Sequence, residues 1–183
     1  MALTYSSMID LGSKIPDFNL LNSLDGQEYS SSSLNNDRPS LLMVICNHCP
    51  YVIHYHEELK QLNNHYNTEI DFVAISSNDV DRYPQDGPGE MNKLFDSLGL
   101  DFPYLYDETQ EVAKSLKAEC TPEFYLYDSN NELIYRGRID ASSPGTEIPI
   151  TGADLRAAIE ALLRGDPVSS DQHPSMGCSI KWK

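Results

Sequence analysis

The sequence predicts an α/β fold, a mixed central sheet flanked by helices with β-hairpin edges, and three observations carry the prediction. Residues 40–45 (SLLMVI) and 70–75 (IDFVAI) are short, almost unbroken apolar runs, the pattern of strands covered on both faces. Between them, residues 50–66 put Val52, Ile53, Leu59 and Leu62 roughly on one helical face and Glu57, Glu58 and Lys60 on the other. The unit is strand–helix–strand, with a right-handed crossover if the strands are parallel. Residues 124–127 (FYLY) and 133–139 (LIYRGRI) bracket the turn 128–131 (DSNN), a hairpin signal.

The remaining elements follow in chain order. Pro16, Asp17 and Phe18 lead into a short hairpin around the turn-forming pair Asp25-Gly26, and a serine run after it reads as a polar loop. Residues 76–89, with Pro84, Gly87, Pro88 and Gly89, read as a long surface loop. Shorter helices over about 90–98 and 110–116 flank residues 102–107 (FPYLYD). Thr151 or Asp154 is a candidate cap for a last helix that runs through Leu163 and stops at Gly165. This gives one domain over 1–165 and a tail over 166–183. The tail is polar at first, but Ile180 and Trp182 alternate with Lys181 and Lys183 as in a strand that docks, so the tail is expected to pack back on the domain.

Composition narrows the function. Thirteen basic against 28 acidic residues give a net charge of −15, a surface that repels phosphate backbones and anionic lipids, which argues against nucleic acid or membrane partners. No run approaches the roughly 20 apolar residues of a spanning helix. Met1 to Ser13 has no basic region followed by an apolar stretch, so the protein is expected in the cytoplasm. Four cysteines are too few for a disulfide scaffold in a chain of 183 residues.

Cys46 and Cys49 form a Cys-x-x-Cys at the junction of the central strand and the first helix. Asn47 is a candidate cap, and Pro50 is harmless in a first turn, whose N–H groups lack intrahelical partners. A helix starting within the motif would place both sulfurs near free N–H groups and favour thiolate over thiol. His48 adds a potential cation that would lower the Cys46 thiol pKa further and make the disulfide more oxidising. Two thiols at this spacing can close a ring, so one resolves the mixed disulfide made by the other. The competing readings are two buried thiols or half of a zinc site completed by Cys120, Cys178 or scattered histidines; no metal or cofactor is assigned.

The order Pro16-Asp-Phe18, strand, Cys46-Asn-His-Cys-Pro-Tyr-Val52, strand with Ser76-Ser-Asn78, Cys120-Thr-Pro122, hairpin and Gly177-Cys-Ser-Ile-Lys-Trp-Lys183 resembles the peroxiredoxin-like, thioredoxin-fold redoxin proteins. The resemblance spans nearly the whole chain. It implies a thioredoxin-like fold with an N-terminal extension, in which Cys46 is the attacking thiol and Cys49 the resolving one. It further implies a cis Thr121–Pro122 bond facing them, with the Thr121 backbone free to hold an extended substrate. The chain departs from thioredoxins in lacking a Trp before the first cysteine and a buried acid in residues 40–45. It departs from the peroxiredoxin Pro-x-x-x-Thr-x-x-Cys signature in carrying Leu42 and Cys46 where Pro and Thr belong, while keeping the Cys49-Pro50 step.

The expected activity is thiol–disulfide exchange by Cys46 and Cys49, acting on protein or small-molecule disulfides and recycled by a thiol reductant. A thiol peroxidase and a redox-sensing or metal-binding module are the alternatives. Cys120 and Cys178 are candidate additional thiols; a buried small side chain and a free tail thiol are their plainer readings. Glu123, next to Pro122, is a candidate neighbour of the dithiol.

Overall fold

The computed structural model describes residues 3–34 and 37–183; Asn35 and Asn36, in the polar loop after the first hairpin, lie outside them. The strands are β1 (Leu3–Tyr5), β2 (Asn19–Asn22), β3 (Glu28–Ser30), β4 (Ser40–Val44), β5 (Asp71–Ser76), β6 (Tyr104–Tyr106), β7 (Cys120–Thr121), β8 (Glu123–Tyr127), β9 (Leu133–Gly137) and β10 (Met176–Ser179). The helices are α1 (Pro50–His54), α2 (His56–Tyr66), α3 (Pro88–Leu98), α4 (Glu111–Ser115) and α5 (Ala153–Arg164). Among the described residues they build a seven-stranded sheet in the order β3-β2-β6-β5-β4-β8-β9 and a three-stranded sheet in the order β1-β10-β7.

The apolar runs become the centre of the large sheet. All five residues of β4 are buried, and β4 pairs in parallel with β5 and antiparallel with β8. Alternation sends Leu41 and Met43 to one face, where they meet Leu59 and Leu62 of α2, Phe95 of α3 and Leu155 of α5. It sends Leu42 and Val44 to the other, against Val112 and Ala113 of α4 and Ile180 of the tail. Both expected hairpins are present, as antiparallel β2–β3 and β8–β9 pairs.

Several local expectations give way to tertiary contacts. The helix expected over 50–66 breaks at Tyr55 (φ −100°, ψ 4°), whose hydroxyl donates to the Ser142 carbonyl (2.6 Å) and reaches Asp140 Oδ1 (3.2 Å). Neither Thr151 nor Asp154 caps α5. Gly152 takes that place with φ 62°, and the backbone N–H groups of Thr151 and Gly152 both donate to Asp140 Oδ2. The positive φ favours glycine there, and a Cβ would also press on the Glu58 carboxylate, which would have to shift. The tail docks through β10, slightly upstream of the alternation read from sequence: Ile180 is buried but Trp182 is 39% exposed.

Residues 76–89 are the main correction. They form a surface loop only in part: Asp81, Arg82, Pro84 and Gln85 are exposed, but Ser76, Ser77, Asn78, Asp79 and Asp86 are buried, and α3 begins within the segment at Pro88. Buried polar groups need partners: Asp86 finds them in the Asn47–His48 loop, Asn78 and the Asp79 N–H in the tail at Lys181, and Ser77 on Asp107.

Candidate active site

The site forms where β4 ends. The N–H of Ile45 still bonds to the Ile75 carbonyl, after which the chain turns away through Cys46, Asn47 and His48 and enters α1 at Pro50. Cys49, not Asn47, is the cap residue (φ −70°, ψ 121°), and its carbonyl accepts the Val52 and Ile53 N–H groups. Asn47 instead bridges outward: its Nδ2 donates to the Gln85 carbonyl (2.9 Å) and its Oδ1 accepts from the Tyr104 hydroxyl (3.1 Å).

One residue that sequence reasoning missed organises the loop. Asp86 is fully buried, and its carboxylate accepts the Asn47 N–H (2.9 Å), the His48 N–H (3.2 Å) and Asn78 Nδ2 (2.9 Å), while its Oδ2 lies 2.6 Å from His48 Nδ1. A buried acid is therefore present, but it comes from the segment after β5 and not from β4. The available signal was length, since a loop of that size without structure of its own is uncommon in a compact domain unless it serves a site. The His48 ring stacks on Tyr83 with centroids 5.3 Å apart, and a groove lined by Asn47, His48, Gln85, Glu90, Lys93 and Leu94 opens beside it. Removing the acid orphans four donors. Asp86→Ala is expected to lower unfolding free energy by about 3 kcal/mol or more, read by chemical denaturation; an unchanged midpoint would remove Asp86 from this role.

Cys46, His48 and Asp86 offer donor atoms mutually within 4.8 Å. The 2.6 Å between His48 Nδ1 and Asp86 Oδ2 is a hydrogen-bond distance, shorter than the more than ~3 Å that separates two ligands bound tetrahedrally at about 2.0–2.2 Å. The arrangement fits a shared proton.

The electrostatics of the two thiols differ from the sequence expectation. Cys46 is not exposed; it is 1% accessible and Cys49 is 0%. Its pKa is raised, first by its hydrogen bond to Cys49, then by burial and by the Asp86 charge. The His48 ring is aimed at Asp86, with Nδ1 2.6 Å from Oδ2. The Cys49 pKa is lowered to about 4, chiefly because the Cys46 thiol donates to its sulfur; burial opposes this, and the Cys178 thiol, the Thr121 hydroxyl and the Val52 N–H add to it. The Thr121 carbonyl lies 3.1 Å from Cys49 Sγ and receives the S–H when that thiol is protonated. At five residues α1 is short, so these local donors outweigh any helix dipole.

A pH dependence follows. The folded pKa of Cys49 lies below the ordinary value of 9.0, so its thiolate stabilises the reduced fold above the unfolded pKa, and that contribution is lost as pH falls through about 4. Thiolate ultraviolet absorption, taken as the difference between reduced wild type and Cys49→Ser, is expected to persist from neutrality down to that pH. A step near pH 9 instead would place the charge elsewhere.

The Thr121–Pro122 peptide is cis, as the resemblance implies, and Thr121 Oγ1 lies 3.4 Å from Cys46 Sγ. The Thr121 edge is not open, however. β10 pairs along β7 with Cys178 opposite Thr121 and Ser179 opposite Cys120, and the Ile180 N–H extends the pairing to the Glu119 carbonyl. The tail thus places Cys178 in the same core cluster as Cys46 and Cys49. Cys120 alternates to the other face of β7, and burial raises its pKa. Glu123 turns back to accept the Glu119 and Cys120 N–H groups, and burial raises its pKa to about 7.

The family model described as Redoxin matches residues 10–155. The chain belongs to the Redoxin family. Two solved structures resemble the redoxin chain over its length. An uncharacterized conserved protein from Geobacillus kaustophilus is 49% identical, with a TM-score of 0.97 and coverage of 100% of this chain and 97% of the other. A hypothetical protein from Sinorhizobium meliloti 1021 is 38% identical, with a TM-score of 0.95 and 98% of each chain covered. A secreted Mycobacterium tuberculosis disulfide oxidoreductase homologous to E. coli DsbE shares the fold at 19% identity and a TM-score of 0.61, over 79% of the redoxin and 96% of that chain. No match to a curated protein is found. Among the described residues of the redoxin, no helix is long and apolar enough to cross a membrane.

Proposed function

We propose that this redoxin is a thiol–disulfide oxidoreductase whose working couple is Cys46 and Cys49. The observation that carries the reading is the placement of both sulfurs against Thr121 at the start of α1, Cys46 Sγ 3.4 Å from its hydroxyl and Cys49 Sγ 3.1 Å from its carbonyl, in surroundings that raise the Cys46 pKa and lower that of Cys49. Cys49 is then the first nucleophile. Its thiolate attacks a substrate disulfide, forms a mixed disulfide and releases one thiolate. Cys46 gives up its proton, attacks the Cys49 sulfur and expels the second thiolate, so two electrons leave as the Cys46–Cys49 disulfide forms. His48, oriented by Asp86, is the group near Cys46 suited to take that proton. An external thiol reductant closes the cycle, and a cytoplasmic setting, where such reductants keep thiols reduced, belongs to the same proposal.

One observation favours thiol peroxidase as a second reading: the tail fills the Thr121 edge, where an extended peptide would otherwise pair, whereas a peroxide needs no such edge. In that reaction Cys49 thiolate takes one peroxide oxygen to become sulfenic acid, and Cys46 condenses with it to give the disulfide and water. Parallel steady-state assays with a small disulfide and with hydrogen peroxide, each with dithiothreitol as donor, separate the readings. Disulfide reduction without peroxide consumption supports the oxidoreductase. Faster peroxide turnover replaces it with the peroxidase, and inertness toward both substrates rejects both.

A further inference from the structure

We propose that Cys178 is a third redox-active thiol, which resolves adducts on Cys49 by forming a Cys49–Cys178 disulfide in competition with Cys46. The inference rests on the reading of Cys49 as the nucleophile and adds a residue and an element to it.

Geometry carries the argument. Directly opposed residues of an antiparallel pair project to the same face, and Cys178 stands opposite Thr121. That face is the one on which Thr121 Oγ1 meets Cys46 Sγ, and the Thr121 carbonyl touches Cys49 Sγ from the same residue. Cys178 is 4% exposed and packs in the cluster that contains both other sulfurs. Cys120 is one residue along β7 and so faces away.

The tail is built to hold this position. β10 is flanked by β1 on one side and β7 on the other. Beyond it, the Lys181 N–H donates to Asn78 Oδ1, Gln110 Nε2 donates to the Lys181 carbonyl, and the Lys183 N–H donates to Gln110 Oε1. Asn78 uses its other end, Nδ2, on Asp86. A single amide therefore ties the strand that carries Cys178 to the acid that fixes the Cys46–His48 loop.

The charge state fits the order of events. Burial, then the hydrogen bond and charge of Cys49, push the Cys178 pKa up to about 12. Cys178 stays a thiol while Cys49 is a thiolate. When Cys49 becomes part of a mixed disulfide that charge is gone, and the barrier to deprotonating Cys178 falls. The step balances: Cys178 thiol plus the Cys49–S–S–R adduct gives the Cys49–Cys178 disulfide and R–SH, the Cys178 proton ending on the leaving sulfur. Attack of Cys46 on Cys49 then returns Cys178 as thiol and leaves Cys46–Cys49.

The test uses reduced full-length Cys46→Ser and Cys46→Ser/Cys178→Ser, each exposed to oxidised glutathione, quenched in acid, alkylated and mapped by mass spectrometry under non-reducing conditions. The single variant is expected to lose two titratable thiols and yield a Cys49–Cys178 linked peptide; the double variant is expected to lose one and retain glutathione on Cys49. A glutathione adduct that persists on Cys49 in the single variant, with Cys178 alkylated, overturns the proposal and leaves the role of Cys49 intact. No adduct on Cys49 in either variant overturns both. Cys46→Ala repeats the measurement should serine disturb the buried site.

Discussion

Cys49→Ser is expected to lower the rate of disulfide reduction by about three orders of magnitude or more, because it removes the sulfur proposed as the first nucleophile and serine cannot replace it in that role. Cys46→Ser should behave differently. The first attack survives and a mixed disulfide accumulates on Cys49, so a single turnover remains while steady-state reduction drops. Single-turnover and steady-state kinetics on the two variants distinguish the roles. If Cys49→Ser still formed an adduct and Cys46→Ser did not, the proposed polarity would be reversed, and Cys46 would be the attacking group that the family resemblance implies. Cys46→Ala removes the donor to Cys49 altogether, so the pH at which adducts form is expected to rise in that variant.

The second large effect concerns the tail. A Cβ on Gly177 would lie 2.0 Å from the Thr121 carbonyl oxygen and 2.7 Å from its carbon. Both atoms are backbone, fixed by β7 and its pairing, and neither can give way as a flexible side chain would. Gly177→Ala is therefore expected to drive β10 off the Thr121 edge and to cost about 3 kcal/mol or more. Two measurements check it. Chemical denaturation should show the loss of stability, and alkylation of Cys49 at neutral pH should become at least about tenfold faster as the cover opens more often. The same variant bears on substrate choice, because an uncovered Thr121 edge is free to pair with a peptide disulfide. Unchanged stability together with an unchanged alkylation rate would mean that β10 does not press on β7 as the geometry requires.

Much of this protein was legible before any tertiary contact was known. The runs 40–45 and 70–75 announce buried strands because a strand covered on both faces has no polar side to show. The Cys46–Cys49 spacing and the position of Pro50 place two thiols at a strand-to-helix turn, and Thr121-Pro122 with the terminal CSIKWK carries the family resemblance. Such features are local: each is written in neighbouring residues whose propensities agree with the fold.

What the sequence could not decide is which partners the polar groups find. Residues 76–89 carry turn-forming and charged side chains that are indistinguishable from a solvated loop until Asp86 is seen beneath Asn47 and His48. Cys178 is 129 residues from Cys49, and the β1-β10-β7 sheet brings it into the cluster that holds Cys46 and Cys49. Thiol acidity is likewise beyond any spacing rule, because it depends on burial and on donors that arrive from other elements. The sequence by itself determined the buried strands and the position of two thiols at a strand-to-helix turn. The tertiary structure decided which acid holds the loop and what covers the Thr121 edge, since hydrogen bonds and charges act through space and not along the chain.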